Sequence, residues 1–118
     1  MSIIQVINNS NGRLVCSDAS YANNWYRRMV GLLSRRKLYI GEGLWLSPCH
    51  SIHTIGMRFS IDVIFLDEHN YIKHIVEDLK PYRICVSCNE SVSVLELPVG
   101  TINRALLQKG DHLAVLLD

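Results

Sequence analysis

The chain has 118 residues, 48% apolar and 19% charged, with a formal net charge of +1. That length supports one domain around one real core, so residues 1–118 are expected to fold as a single domain. A near-neutral balance argues against bulk attraction to nucleic acid or to a membrane surface.

The opening "MSIIQVINNSNGR" has no basic leader followed by an apolar run, and no stretch approaches the ~18 apolar residues of a membrane helix. The expectation is a soluble, cytoplasmic protein with no membrane span. Cys16, Cys49, Cys85 and Cys88 are then expected as reduced thiols.

In chain order, 2–7 and 13–17 read as strands around the turn "NNSNG" at 8–12. A helix is predicted next. Ser17, Asp18 and Ser20 can accept its first unpaired N–H groups, and Ala22, Trp25, Met29, Leu32 and Leu33 recur at helical spacing. Gly31 weakens its last turn. A turn at 39–43 leads to a short strand at 44–47, which Pro48 limits. Strands follow at 60–67 and 71–77 around the turn 67–70, then another at 91–97. A helical turn at 101–108 and a last strand at 112–117 close the chain. Seven or eight short strands with one helix predict a mainly β, compact antiparallel sandwich or barrel-like domain, its short N-terminal helix covering one opening.

Charge is uneven along this frame. Residues 1–41 hold six basic residues and one acid; five of the bases, Arg27, Arg28, Arg35, Arg36 and Lys37, lie within eleven positions. Such a run is ordinarily a solvated helix face. Its functional alternative is contact with an acidic protein surface. No nucleic-acid motif accompanies it.

The stretch "CHSIHTIGMRFSIDVIFLD", 49–67, concentrates the chemistry. If it is extended from Arg58, then Arg58, Ser60, Asp62, Ile64 and Leu66 share one face, and Phe59, Ile61, Val63 and Phe65 the other. Asp62 then sits among apolar neighbours, and a buried carboxylate needs a partner or must stay protonated. Arg58 is the nearest candidate by sequence, with His53 and Thr54 as further donors. Glu96 likewise follows the apolar row Val92 and Val94. Two carboxylates at strand ends can be an acid/base pair, or acceptors that hold loop N–H groups.

A zinc site from Cys85, Cys88, Cys49, His50 and His53 is weakly signalled. There is one C-x-x-C without a second knuckle, and a strand would point its two thiols to opposite faces. No metal or cofactor is therefore expected. A triad of Cys49, His53 and Asp62 lacks a recognisable oxyanion element. Cys16 reads as a small buried apolar residue.

"RRMVGLL" (27–33), "GEGLWLSPCHSIHTIGMRFSIDVIFLD" (41–67), "LELPVGT" (95–101) and "KGDHL" (109–113) occur in that order. Together they resemble the small prokaryotic family known as domain of unknown function one hundred and ninety-two, from about Arg13 to Leu116. The family motif maps onto Gly31, Leu32, Met57, Asp62, Glu96, Gly100, Gly110 and Asp111. Cys49, His53, Thr54 and Arg58 match a subgroup form, and Ser60 stands where the family often has proline. The resemblance implies a compact β-sandwich-like fold with a short N-terminal helix and assigns no activity. Cys85 and Cys88 lie outside the motif.

The combined expectation is a non-enzymatic binding module whose pocket, for a small ligand or a peptide end, is formed by His53, Thr54, Met57, Arg58, Asp62 and Glu96. A hydrolase using His or carboxylate acid/base chemistry, and an accessory protein acting through the basic surface, are the alternatives.

Overall fold

The computed structural model describes residues 3–22, 35 and 37–117. Nine strands are assigned among them: β1 (Ile3–Asn8), β2 (Arg13–Ala22), β3 (Glu42–Leu46), β4 (Ser51–Ile52), β5 (Ile61–Leu66), β6 (Ile72–Leu79), β7 (Val86–Ser87), β8 (Ser93–Pro98) and β9 (Leu113–Leu117). One short helix, α1, spans Thr101–Arg104. Seven strands form one sheet in the order β6-β5-β8-β3-β2-β1-β9; β4 and β7 pair separately.

Mainly β architecture is what the pattern predicted, but a sandwich of two large sheets is not what forms. One sheet curls around a core that draws on all seven of its strands, among them Val6, Cys16, Trp45, Ile64, Leu95 and Leu113. Ile102, Ala105 and Leu107 of the α1 segment join this inner core and stop one end of the curl. Among the described residues the edge strands meet at an isolated antiparallel bridge, Tyr71 with His112. Around it Ile72 N–H donates to Asp111 O (2.8 Å) and Leu113 N–H to Asn70 O (2.9 Å). Beyond that bridge the edges part, and the barrel does not close.

The sheet is also not wholly antiparallel. β2 pairs with β3 in parallel, Asp18 opposite Glu42 through Ala22 opposite Leu46. This pairing explains why Ser17, Asp18 and Ser20, expected as helix caps, are strand residues. The N–H groups of Ser17 and Asp18 both donate to Gly41 O, at 3.0 Å each. Two donors on one carbonyl form a bulge, which bends β2 as it takes up its second neighbour. The predicted helix past Ala22 lies outside the described residues, as do Arg27, Arg28 and Arg36.

Close packing at this junction favours a glycine. A Cβ on Gly43 would stand 3.1 Å from Cys16 Sγ and 3.2 Å from Leu97 Cδ2.

β5 is central, with all six residues buried. Ile64 and Leu66 enter the inner core, while Ile61, Val63 and Phe65 enter a second core on the outer face with Val94, Leu46 and Met57. The outer core is covered by a lobe that pattern reasoning missed: residues 49–60 folded against 80–92. Its ladder, β4 with β7, is only two residues long on each side, too short to show a period of two.

Candidate functional site

The lobe contains four of the six expected site residues. Thr54 is fully buried and ties the lobe together. Its Oγ1 donates to Lys80 O (2.7 Å) and accepts from Arg83 N–H (2.9 Å). Its N–H donates to Arg83 O (3.0 Å), while its O accepts from the N–H groups of Tyr82 (2.8 Å) and Met57 (3.1 Å). Met57 is buried in the outer core, His53 is half-buried, and Arg58 is exposed. Of these four, Thr54 and Met57 therefore hold the lobe, while His53 and Arg58 reach its surface.

Asp62 does not join them, and it does not share a face with Glu96. Across the β5–β8 ladder Val63 lies opposite Glu96, and Asp62 opposite Leu97. Opposed residues share a face. Glu96, fully buried, therefore lies on the outer face with Val63, and Asp62 on the inner face with Leu97. The sheet separates the two carboxylates, and the expected convergence of all six residues is not the arrangement found.

The expected Asp62–Arg58 pair is replaced by main-chain donors. Asp62 Oδ1 accepts from Asp78 N–H (2.9 Å); Oδ2 accepts from Gly100 N–H (3.0 Å) and Ile102 N–H (2.9 Å). Asp78 lies at a register shift of β6, with φ 50. Gly100, at φ 98, begins α1. One carboxylate thus fastens both the bend in β6 and the start of the helical plug.

The basic run is partly committed within the fold. Arg35 Nη1 and Nη2 grip both oxygens of Glu42, at 3.1 and 2.5 Å. Lys37 Nζ stands 4.6 Å from the centre of the Tyr39 ring. The hydrogen bond from Arg35 holds the Glu42 carboxyl below its ordinary value, with burial opposing it.

The thiols have distinct surroundings. Burial pushes Cys16 up to about 12. Cys85 is exposed, with Sγ 3.4 Å from Ser51 Oγ, whereas Cys88 packs against the outer core. Among the described residues no three His, Cys, Asp or Glu side chains gather as a metal-ligand set.

The concavity that pattern reasoning missed lies at the end of the curl opposite the α1 segment. A cleft of about 390 Å³ opens there, with Tyr21, Trp45, Val115 and Leu117 as apolar lining. Asp67, Glu68, Asn70, Ser47 and Ser93 supply polar groups. Ser93 Oγ donates to Ser47 Oγ (3.0 Å). Asp67 Oδ1 accepts from the N–H groups of His69 (2.9 Å) and Tyr71 (3.0 Å), and Lys73 Nζ lies 3.7 Å from Oδ2. Burial works against the charged form of Asp67, but these contacts outweigh it and hold the carboxyl below its ordinary value. It remains an anion at neutral pH beside an apolar recess. None of the expected site residues lines this cleft.

The model of domain of unknown function 192, described as an uncharacterised ACR, matches residues 6–115. This chain belongs to that family. A UPF0127 protein of Pyrococcus furiosus is 28% identical over 113 residues, covering 92% of this chain and 95% of the relative. A Thermococcus sibiricus UPF0127 protein is 26% identical, covering 92% and 72%. A Sinorhizobium meliloti crystal structure, whose name suggests without assigning a role as a transcription regulator, superposes with a TM-score of 0.79 at 24% identity, covering 97% of this chain and 92% of that one. A Novosphingobium aromaticivorans protein of unknown function gives 0.78 at 21%, covering 95% and 83%. At these identities the structural likenesses speak for the fold alone. Among the described residues no helix is long and apolar enough to cross a membrane.

Proposed function

We propose that this DUF192 chain is a non-enzymatic binding module that takes a small ligand or a peptide end in the cleft at the open end of the curled sheet. The observation that carries this reading is the cleft itself: about 390 Å³, lined by the apolar Trp45, Val115 and Leu117 together with the polar Asp67, Asn70 and Ser93. That size and mixture suit a small-molecule or peptide-end site, where apolar walls supply affinity and a few polar groups fix orientation. Acid/base chemistry by Asp62 and Glu96 acting together is disfavoured, because the sheet lies between them.

The test is two-dimensional NMR of the isotope-labelled chain against a library of fragments and short peptides. Shifts should concentrate on Trp45, Ser93 and Val115 and vanish in Leu117→Trp, which fills the cleft from its exposed rim. Shifts that ignore that substitution would place binding elsewhere.

A second reading keeps part of the lobe. Arg58 and Arg83 are both exposed, and the Arg83 backbone is bonded to Thr54 four residues before Arg58. Two such guanidiniums suit a small anion. Titration with inorganic phosphate should then shift His53 and Arg83 resonances in wild type but not in Arg58→Ala; equal shifts in both would remove this reading.

A further inference from the structure

Among the described residues, part of the β9 main chain has no partner. His112 O accepts from Asn9 N–H (2.8 Å), on the β1 side, while Asp111 O and the Leu113 N–H bond toward β6, on the opposite side. Peptide groups alternate in direction along a strand. The N–H and C=O groups of Val115 and Leu117 therefore point the same way as those of Asp111 and Leu113. β6 has no residue to meet them, because the chain turns away through Asp67–Asn70 to become β5. Among the described residues β9 pairs with β1 alone beyond the single bridge.

The same two residues line the cleft. A recess bounded by apolar side chains thus has open ladder positions along one wall and two carboxylates, Asp67 and Glu68, at its head. The opposite edge is unsuited to pairing: β6 carries two register shifts and the charged residues Lys73, Glu77 and Asp78.

We infer that the cleft accepts an extended peptide segment of a partner, added as a strand to the β9 edge at Val115 and Leu117, with a cationic residue facing Asp67 and Glu68. This deepens the binding-module reading and rests on it. Main-chain bonds supply register, the apolar recess takes alternate side chains, and the carboxylates favour a lysine or arginine over an acid. A free small molecule would leave the edge groups unused.

The probe is the acetylated, amidated pentapeptide Lys-Val-Thr-Val-Lys, compared with its Glu-Val-Thr-Val-Glu counterpart and with two N-methylated isomers carrying methyl groups on alternate amides. The lysine peptide should shift the Val115 and Leu117 amide resonances. The glutamate peptide should bind at least about tenfold more weakly, since like charges replace opposite ones. One N-methylated isomer should bind and the other should not, because an added strand uses every second amide. Leu117→Pro removes one edge donor at a position where a sheet edge tolerates proline, and should weaken binding at least about tenfold with the Tyr71–His112 signals unchanged.

Equal binding by both isomers, or fragments that occupy the cleft while the peptides do not, would overturn strand addition and leave the cleft reading intact. Concentration-dependent shifts at Val115 and Leu117 without peptide would assign the edge to a second copy of this chain and overturn the proposal. No perturbation of the cleft by fragments or peptides would remove both readings.

Discussion

The two ends of the curled sheet solve the same problem in opposite ways. Each end of such a curl leaves an apolar interior facing water. At one end the α1 segment inserts Ile102, Ala105 and Leu107, and Asp62 fastens it with bonds to Gly100 and Ile102. At the other, Trp45, Val115 and Leu117 face a cleft with open strand-edge groups beside it. A carboxylate stands at each. Asp62 is spent on main-chain donors in a buried place, whereas Asp67 stands half-buried at the head of a recess. Both acids accept main-chain N–H groups, but Asp67 does so as part of the cleft lining, where its charge acts on whatever enters.

Substitutions at the two ends should therefore differ in kind. Asp62→Ala leaves three N–H groups without their acceptor and should destabilise the fold by about 3–5 kcal/mol in urea titration, since unsatisfied buried donors cost roughly 1–3 kcal/mol each and relax only in part. A loss below about 1 kcal/mol would mean that water replaces the carboxylate freely. Gly100→Ala should cost about 1–2 kcal/mol from backbone strain alone, because φ is 98 and nothing lies within 4 Å of the added Cβ. At the mouth, Leu117→Ser should change stability by less than about 0.5 kcal/mol, Leu117 being 71% exposed, while altering whatever enters the cleft. A large loss there would erase the distinction between plug and mouth.

The smallest effect concerns Arg35 and Glu42. The folded Glu42 carboxyl lies below its ordinary 4.5, so its contribution is fully present above that value and fades as pH falls through the folded pKa. Arg35→Ala should cost about 0.5 kcal/mol at neutral pH, and the two proteins should converge in acid. A difference that persists at low pH would assign the effect to packing of the arginine stem.

The strands of the fold were legible where both faces are buried, as in 60–67, and where an apolar run follows a clear turn, as in 112–117. The parallel β2–β3 pair was not, because Ser17, Asp18 and Ser20 suit a helix cap and a bulged strand equally well. Asp62 was recognisable as a buried acid in need of partners, yet side chains are all that a sequence displays. Its actual donors are main-chain groups 16, 38 and 40 positions away, which leave no mark on residue identity. The separation of Asp62 from Glu96 depends on register alone. Val63, not Asp62, faces Glu96, and a slip of one residue would have placed both acids on one side. The cleft was invisible for a related reason: its lining comes from β2, β3, β8, β9 and the β5–β6 turn, so no local pattern announces it.

Finally, β1 lies between β2 and β9 in the sheet, and a buried hydrogen bond joins Asn8 to Asp111 across 103 positions. The earliest strand made therefore waits for the last before its second edge is covered. During synthesis, most of the sheet can assemble while β1 still offers one side to any extended chain nearby. Such long-range closure is slow relative to local hairpins, which makes completion of β9 the step at which the exposed side of β1 is finally covered.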